Sequence, residues 1–317
     1  MAESNAPSTQ RVRIVRIADT HNHAPGEGYT LPKGDILVHA GDLTNQGSYA
    51  EFKKAVGWLE KADFAVKIVV AGNHDLALDT DYGLKHAEGW RVQPEREEAA
   101  KSRKLVTENE AFTYLQHSAT IVEIPSKNVR LRVFGSPYSP DRGKQNWAFQ
   151  YPDHRASSLW DAIPADTDLL ITHTPPAGHC DASVHWPEGG CRALTTALER
   201  VRPLVHVCGH CHEGRGAAIV RWAEDSGAAT TSRKWDDPRG AGGGRKQSLL
   251  DLTGRSDGRP PLEGGRETAV VNASIVAKSY GRGAKTFNKP IVVDVAVPIW
   301  PRAPTEDVVP MDPIGDA

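Results

Sequence analysis

Residues 35–75 read DILVHAGDLTNQGSYAEFKKAVGWLEKADFAVKIVVAGNHD. Two short β-branched runs within it, DILVHA at 35–40 and VKIVVA at 66–71, have the length and composition of buried strands. Between them Phe52, Val56 and Leu59 recur on one helical face, and Ser48 with Glu51 has the spacing of a capping box. Strand, helix, strand in this order predicts an α/β layered fold. Both strands run into polar clusters, Gly41-Asp42 and Gly72-Asn73-His74-Asp75, at the end of the sheet where such folds carry their sites.

The same grammar extends in both directions. VRIVRIA at 12–18 runs into Asp19-Thr20-His21, DLLITH at 168–173 ends on His173, and a strand expected at 204–208 runs into Gly209-His210-Cys211-His212. Further strands are expected at 129–135, 216–222, 268–273 and 291–297. A charged helix is expected at about 95–107, and a second helix in GCRALTTALERVRP, stopped by Pro203. From about 223 to 266 the chain is rich in Gly, Ser, Arg and Asp and poor in aliphatics, which predicts a long mobile surface insertion. The expected organisation is a flexible stretch at 1–10, one domain over 11–300 that contains the insertion, and a tail at 301–317.

Composition narrows the function classes. The chain has 317 residues with 38 Lys+Arg against 40 Asp+Glu, a net charge of −2, which argues against a nucleic-acid polymer held on a bulk basic surface. No run approaches the roughly 18 apolar residues of a spanning helix, so no membrane crossing is expected. The polar start MAESNAPSTQ lacks a secretory apolar stretch, and four cysteines make no disulfide framework, so a cytoplasmic protein is expected. The 13 histidines are the unusual number, because imidazole is both a metal ligand and a neutral-pH acid.

Their placement carries chemistry. Residues i and i+2 of an extended turn point to one side, so Asp19 and His21 can grip one ion. His210 and His212 share the spacing and can serve one ion or two. A carboxylate such as Asp42 has two oxygens and can bridge a pair of ions. Mixed oxygen and nitrogen donors suit Mn, Fe or Zn better than Mg or Ca. Two such ions roughly 3.5–4 Å apart can hold a hydroxide and polarise a phosphoryl oxygen.

The ordered series D-x-H, GD, GNHD, a lone His and GHxH resembles the calcineurin-like metallophosphoesterase superfamily. GDILVHAGDLTNQG, KIVVAGNHD, GSPYSP, THTPPAGHCD, GHCHEGRG and VVNAS are similar to its MPPED-type metallophosphodiesterase branch. The resemblance implies a four-layer αββα sandwich of two facing mixed β-sheets flanked by helices. It implies that Asp19, His21 and His212 hold one metal, that Asn73, His173 and His210 hold a second, and that Asp42 bridges them. His74 is then the catalytic group beside the phosphate, and a metal-bridging hydroxide is the nucleophile. The cofactors implied are two divalent metal ions, with Mn²⁺ expected first and Fe or Zn also compatible. Some members of the branch lack the first His of GHxH; this sequence keeps His210.

Blander readings stand beside these. Cys208-Gly209-His210-Cys211 matches a disulfide-isomerase motif, but Cys208 ends an apolar run and a poor helix start follows. His39 and His206 read as structural residues inside strands, and His86, His117 and His154 as surface or local hydrogen-bonding residues. His23, His179 and His185 are candidates to line a cleft. Asp75 either orients His74 or belongs to the turn, and Arg142 and Arg215 either contact phosphate or form salt bridges. Asn272-Ala273-Ser274 matches a glycosylation acceptor and is uninformative. The expected function is hydrolysis of a small phosphodiester, a nucleotide or cyclic nucleotide, with specificity set by loops 77–110, 136–152 and 178–192. A phosphomonoesterase and a weakly catalytic nucleotide-binding protein are the alternatives. GDLTNQG in place of GDxVDRG, and the lack of RGNHE, argue against a protein phosphatase.

Overall fold

Side chains alternate along the central strands so that each sheet has two buried faces, the pattern of a sheet covered on both sides. A computed structural model describes residues 8–85, 95–143, 145–223, 230–237, 247–255, 260–278 and 284–300. The chain runs β1 (Thr9–Ile17), β2 (Ile36–Ala40), α1 (Tyr49–Lys61), β3 (Val66–Val70), α2 (Tyr82–Lys85), α3 (Arg96–Thr107), β4 (Thr113–Leu115), β5 (Ser118–Ile124) and β6 (Val129–Ser136). After the short strands β7 (Ser139–Pro140) and β8 (Gln150–Tyr151) come α4 (Ala156–Trp160), β9 (Leu169–Thr172), α5 (Arg192–Val201), β10 (Val205–Cys208) and β11 (Gly216–Arg221). The last strands are β12 (Thr231–Lys234), β13 (Ser248–Asp251), β14 (Glu267–Asn272) and β15 (Ile291–Pro298).

Two mixed sheets result, a six-stranded one in the order β13-β15-β1-β2-β3-β4 and a seven-stranded one in the order β12-β11-β14-β10-β9-β6-β5. Val12, Ile14, Val38 and Ile68 of the first meet Val133, Leu169, Val207 and Val271 of the second in one core between the sheets. The opposite face of the first sheet packs Val15, Leu37 and Val69 on Phe52, Val56 and Leu59 of α1 and Val106 of α3. The opposite face of the second packs Leu170 and Val270 on Trp160 of α4 and Leu194 and Leu198 of α5. The layers are therefore helix, sheet, sheet, helix, the αββα sandwich expected.

Local signals hold at the helix ends. Ser48 accepts from the Glu51 N–H while the Glu51 side chain accepts from the Ser48 N–H, so both halves of the capping box form. α5 stops at Arg202, which takes a left-handed conformation with φ 51° before Pro203. β1 begins at Thr9, so the end of the stretch expected to be flexible is strand; residues 1–7 and the tail at 301–317 lie outside the described residues.

The segment at 223–266 departs from expectation. β12 pairs with β11, and β13 pairs in parallel with β15, so the segment supplies an edge strand to each sheet. Leu250 of β13 and Leu252, just past its end, enter the core between the sheets with Trp235. The surface insertion expected there thus contributes strands to both sheets; residues 224–229, 238–246 and 256–259 lie outside the described ones.

Candidate metal centre

β1, β2 and β3 run parallel in one sheet, β9 and β10 run parallel in the other, and the turns after all five converge. Just past the strands the backbone enters the left-handed region at Asp19 (φ 51°), His21 (φ 41°), Asp42 (φ 55°) and His210 (φ 66°). Such non-glycine conformations cost energy and gather where a chain must turn functional side chains inward; Asp and His tolerate them better than most residues. Gly41 (φ 99°) and Gly72 have to lack a side chain. A Cβ at Gly41 would run into the His173 ring, and one at Gly72 into the Asp42 carboxylate.

The side chains meet at short range. His21 Nε2 lies 3.2 Å from His212 Nε2, and His212 Nε2 lies 3.5 Å from Asp19 Oδ1. Asp42 faces two rings, with Oδ2 3.8 Å from His21 Nε2 and Oδ1 3.4 Å from His173 Nε2. Asn73 Oδ1 lies 2.8 Å from both His173 Nε2 and His210 Nδ1. His173 Nδ1 is 3.0 Å from the Ala40 carbonyl, to which it donates, so Nε2 is the nitrogen turned to the centre. The His74 backbone N–H donates to Asp42 Oδ1 at 2.8 Å, while His74 Nδ1 donates to the Asn45 carbonyl at 2.7 Å.

Electrostatics follow from burial and mutual proximity. Burial holds His21 at about 3, reinforced by His74, and holds His210 at about 3, reinforced by His173. Burial opposes charge on His173 as well, but the Asp42 and Asp19 carboxylates outweigh it and lift the ring to about 9. Burial likewise works against ionised Asp42, yet His173 and His74 hold it well below the ordinary carboxylate range.

The donor set fits divalent cations. Asp19, His21 and His212 offer ligand atoms all within 4.8 Å of one another, as do His21, Asp42 and His74, and Asp19, Asp42 and His173. An amide oxygen confronting two ring nitrogens, and two Nε2 atoms facing each other, are groups that share an ion more readily than a proton. Asp19, His21 and Asp42 each belong to two of these groups, so the groups overlap. His74 also reaches one of them, although the sequence suggested it as an acid, not a ligand. His210 enters through Asn73 and lies face to edge with His173 at 5.0 Å.

Other candidates fall elsewhere. The Asp75 carboxylate accepts from the backbone N–H groups of Leu43, Thr44 and Gly72 and from Thr44 Oγ1, tying the GD turn to the GNHD turn. Arg142 donates to the Gly190 carbonyl, and Arg215 donates to Ser248 and Lys289 beside Asp237, so both serve loop packing. His39 and His206 are buried on Thr20 and Thr172, as structural residues. His23 packs on Phe287, His179 contacts Ser232, and His185 adjoins Trp186. All four cysteines are free, and Cys208 and Cys211 are buried, which leaves the isomerase-like motif without an exposed thiol.

Four neighbours of the centre were not singled out as site residues from the sequence. Trp147 lies on His74 with ring centres 3.9 Å apart, and Trp186 stacks on His210 at 5.5 Å and 16°. Asn272 and Ser274 are buried behind the centre, the latter bonded to Asp19. For that pair a signal existed, since VVNAS is another aliphatic strand that ends in polar residues.

The calcineurin-like phosphoesterase family model matches residues 12–214, the segment that holds all five blocks. The chain belongs to that family. Over 213 residues it is 40% identical to a protein named Probable rhamnogalacturonate lyase C of Emericella nidulans, an alignment covering 67% of this chain and 18% of that one. It is 37% identical to a UPF0046 protein of Caenorhabditis elegans, covering 68% of this chain and 70% of the relative. It is 36% identical to metallophosphoesterase domain-containing protein 1 of Homo sapiens, covering 64% and 61%. The chain thus spans less than a fifth of the first relative and under two thirds of the human one. Among the described residues no helix is long and apolar enough to cross a membrane.

Proposed function

We propose that this chain is a divalent-metal-dependent phosphoesterase that hydrolyses small phosphodiesters, nucleotides or cyclic nucleotides. The observation that carries the reading is the convergence of Asp19, His21, Asp42, His173 and His212 in overlapping groups with ligand atoms within 4.8 Å. Asp19, His21 and His212 would hold one cation and Asn73, His173 and His210 a second, with Asp42 between them. Bound there, the two cations supply charge neutralisation for phosphoryl oxygens and a hydrolytic water of lowered pKa.

The protein's own groups do the rest. His74 Nδ1 donates to the Asn45 carbonyl, which assigns Nε2 as the nitrogen from which the protonated ring would give a proton to a departing oxygen. Trp147 backs that ring, which keeps it in one orientation. Trp186 and Trp147 place indole surfaces beside the centre, of the kind on which a nucleobase stacks. Free cysteines throughout suit a reducing, cytoplasmic setting.

The test is hydrolysis by Mn²⁺-loaded protein of matched diesters and monoesters, with and without a nucleobase, beside Asp42→Asn. Faster diester cleavage that requires the metal and Asp42 is the expected result. Full activity in metal-stripped Asp42→Asn would overturn the mechanism, and tight nucleotide binding without turnover would favour a binding protein.

A further inference from the structure

A sixth strand end reaches the same place. β14 stops at Asn272, and both Asn272 and Ser274 are fully buried. The Asn272 Nδ2 donates towards the carbonyls of Cys211 at 2.7 Å, Cys180 at 2.9 Å and Gly209 at 3.4 Å. Its Oδ1 accepts from the Ser274 N–H at 3.1 Å. That surround admits one amide orientation, because the flipped form would set an acceptor against three carbonyls. The amide therefore clamps the turn that carries His210 and His212 against the strand beside it.

Ser274 Oγ lies 2.6 Å from Asp19 Oδ2 and 2.7 Å from Asn272 Oδ1. A hydroxyl has one proton, and a carboxylate is a stronger acceptor than an amide, so the proton goes to Asp19. The His210 backbone N–H reaches both Asp19 oxygens at 3.0 Å. The two oxygens share the His210 N–H, Oδ2 alone takes the Ser274 hydroxyl, and Oδ1 is the oxygen 3.5 Å from His212 Nε2.

We infer that Ser274 is a positioning residue of the metal centre: its hydroxyl holds Asp19 Oδ2 and presents Oδ1 alone to a cation, while Asn272 locks the His210–His212 turn to the same strand. This rests on the reading of Asp19, His21 and His212 as a cation site. Both residues lie beyond the family-matched segment 12–214, so the last third of the chain completes the centre and does more than cover a sheet edge. The Asn-Ala-Ser triplet is accordingly a structural clamp, with no side chain presented for glycosylation.

The experiment is Co²⁺ titration of the full chain, followed by calorimetry and by the visible absorption of the bound ion, on wild type, Ser274→Ala, Ser274→Thr and Asp19→Ala. Ser274→Ala should bind one of two ions roughly 10–100-fold more weakly and alter the spectrum, as loss of a partner behind a ligand does. Its thermal unfolding without metal should remain cooperative, lowered only by the loss of one hydrogen bond to a charged group, and Ser274→Thr, which keeps the hydroxyl, should recover the spectrum. Wild-type affinity and spectrum in Ser274→Ala would overturn the inference alone. A wild-type chain that binds no more Co²⁺ than Asp19→Ala would overturn the cation reading as well.

Discussion

His21 Nε2 and His212 Nε2 stand 3.2 Å apart although 191 residues separate them in the chain. Both rings are buried, and His212 Nδ1 has no hydrogen-bond partner. Two imidazoles aimed at one point, beside a carboxylate, leave lone pairs that a cation satisfies. His212→Ala should therefore lose one of two bound metals and about 10³-fold in diester hydrolysis, since a metal supplies several kcal/mol of transition-state stabilisation and each 1.4 kcal/mol is tenfold. Metal content by elemental analysis, measured alongside turnover, checks this; two tightly held ions in the variant would contradict it.

His74 is expected to act on the leaving oxygen. His74→Gln should retain its metals yet hydrolyse an alkyl diester about 10²–10⁴-fold more slowly. With p-nitrophenolate as leaving group the loss should shrink, because that group departs without a proton. Equal losses on both substrates would remove the acid role.

Trp186 stacks on His210 at 5.5 Å and supplies an indole beside the centre. Trp186→Ala should raise KM for a cyclic nucleotide by the equivalent of about 1–3 kcal/mol, the range of one base–aromatic stack. A base-free ribose cyclic phosphate should show little change. An equal rise on both would assign Trp186 to the metal turn and not to base recognition.

His206 gives the protein a calculable acid sensitivity. Burial drives its ring down to about 3, and Nε2 donates to Thr172 Oγ1, which itself donates to the Thr174 carbonyl. Between about pH 6.5 and 3 the unfolded chain binds a proton that the folded chain refuses, so stability falls as pH falls below 6.5 and is unaffected above it. The loss approaches about 1.4 kcal/mol per pH unit for this residue. Urea unfolding of metal-free protein at pH 7, 6 and 5 should show a shallower fall for His206→Gln; parallel curves would contradict the buried neutral ring.

The sequence alone determined the layered α/β class, the five polar blocks and their order, because strand composition, helix periodicity and motif spacing are local properties of the chain. It also separated His39 and His206, inside strands, from the histidines that follow strands. The family resemblance, resting on those blocks, supplied the sandwich and the expected ligand partition. Three things were decided only by tertiary structure. Which side of a turn Arg215 takes depends on Asp237 and Ser248, partners distant in sequence. The segment holding Leu250 and Leu252 read as a surface insertion, yet the edge of β15 gave Ser248–Asp251 a template and both leucines a core. Ser274 meets Asp19 across 255 residues, and a hydrogen bond between residues so far apart has no signature in spacing. It exists because two sheets bring their strand ends to one edge, where backbone and side chains converge.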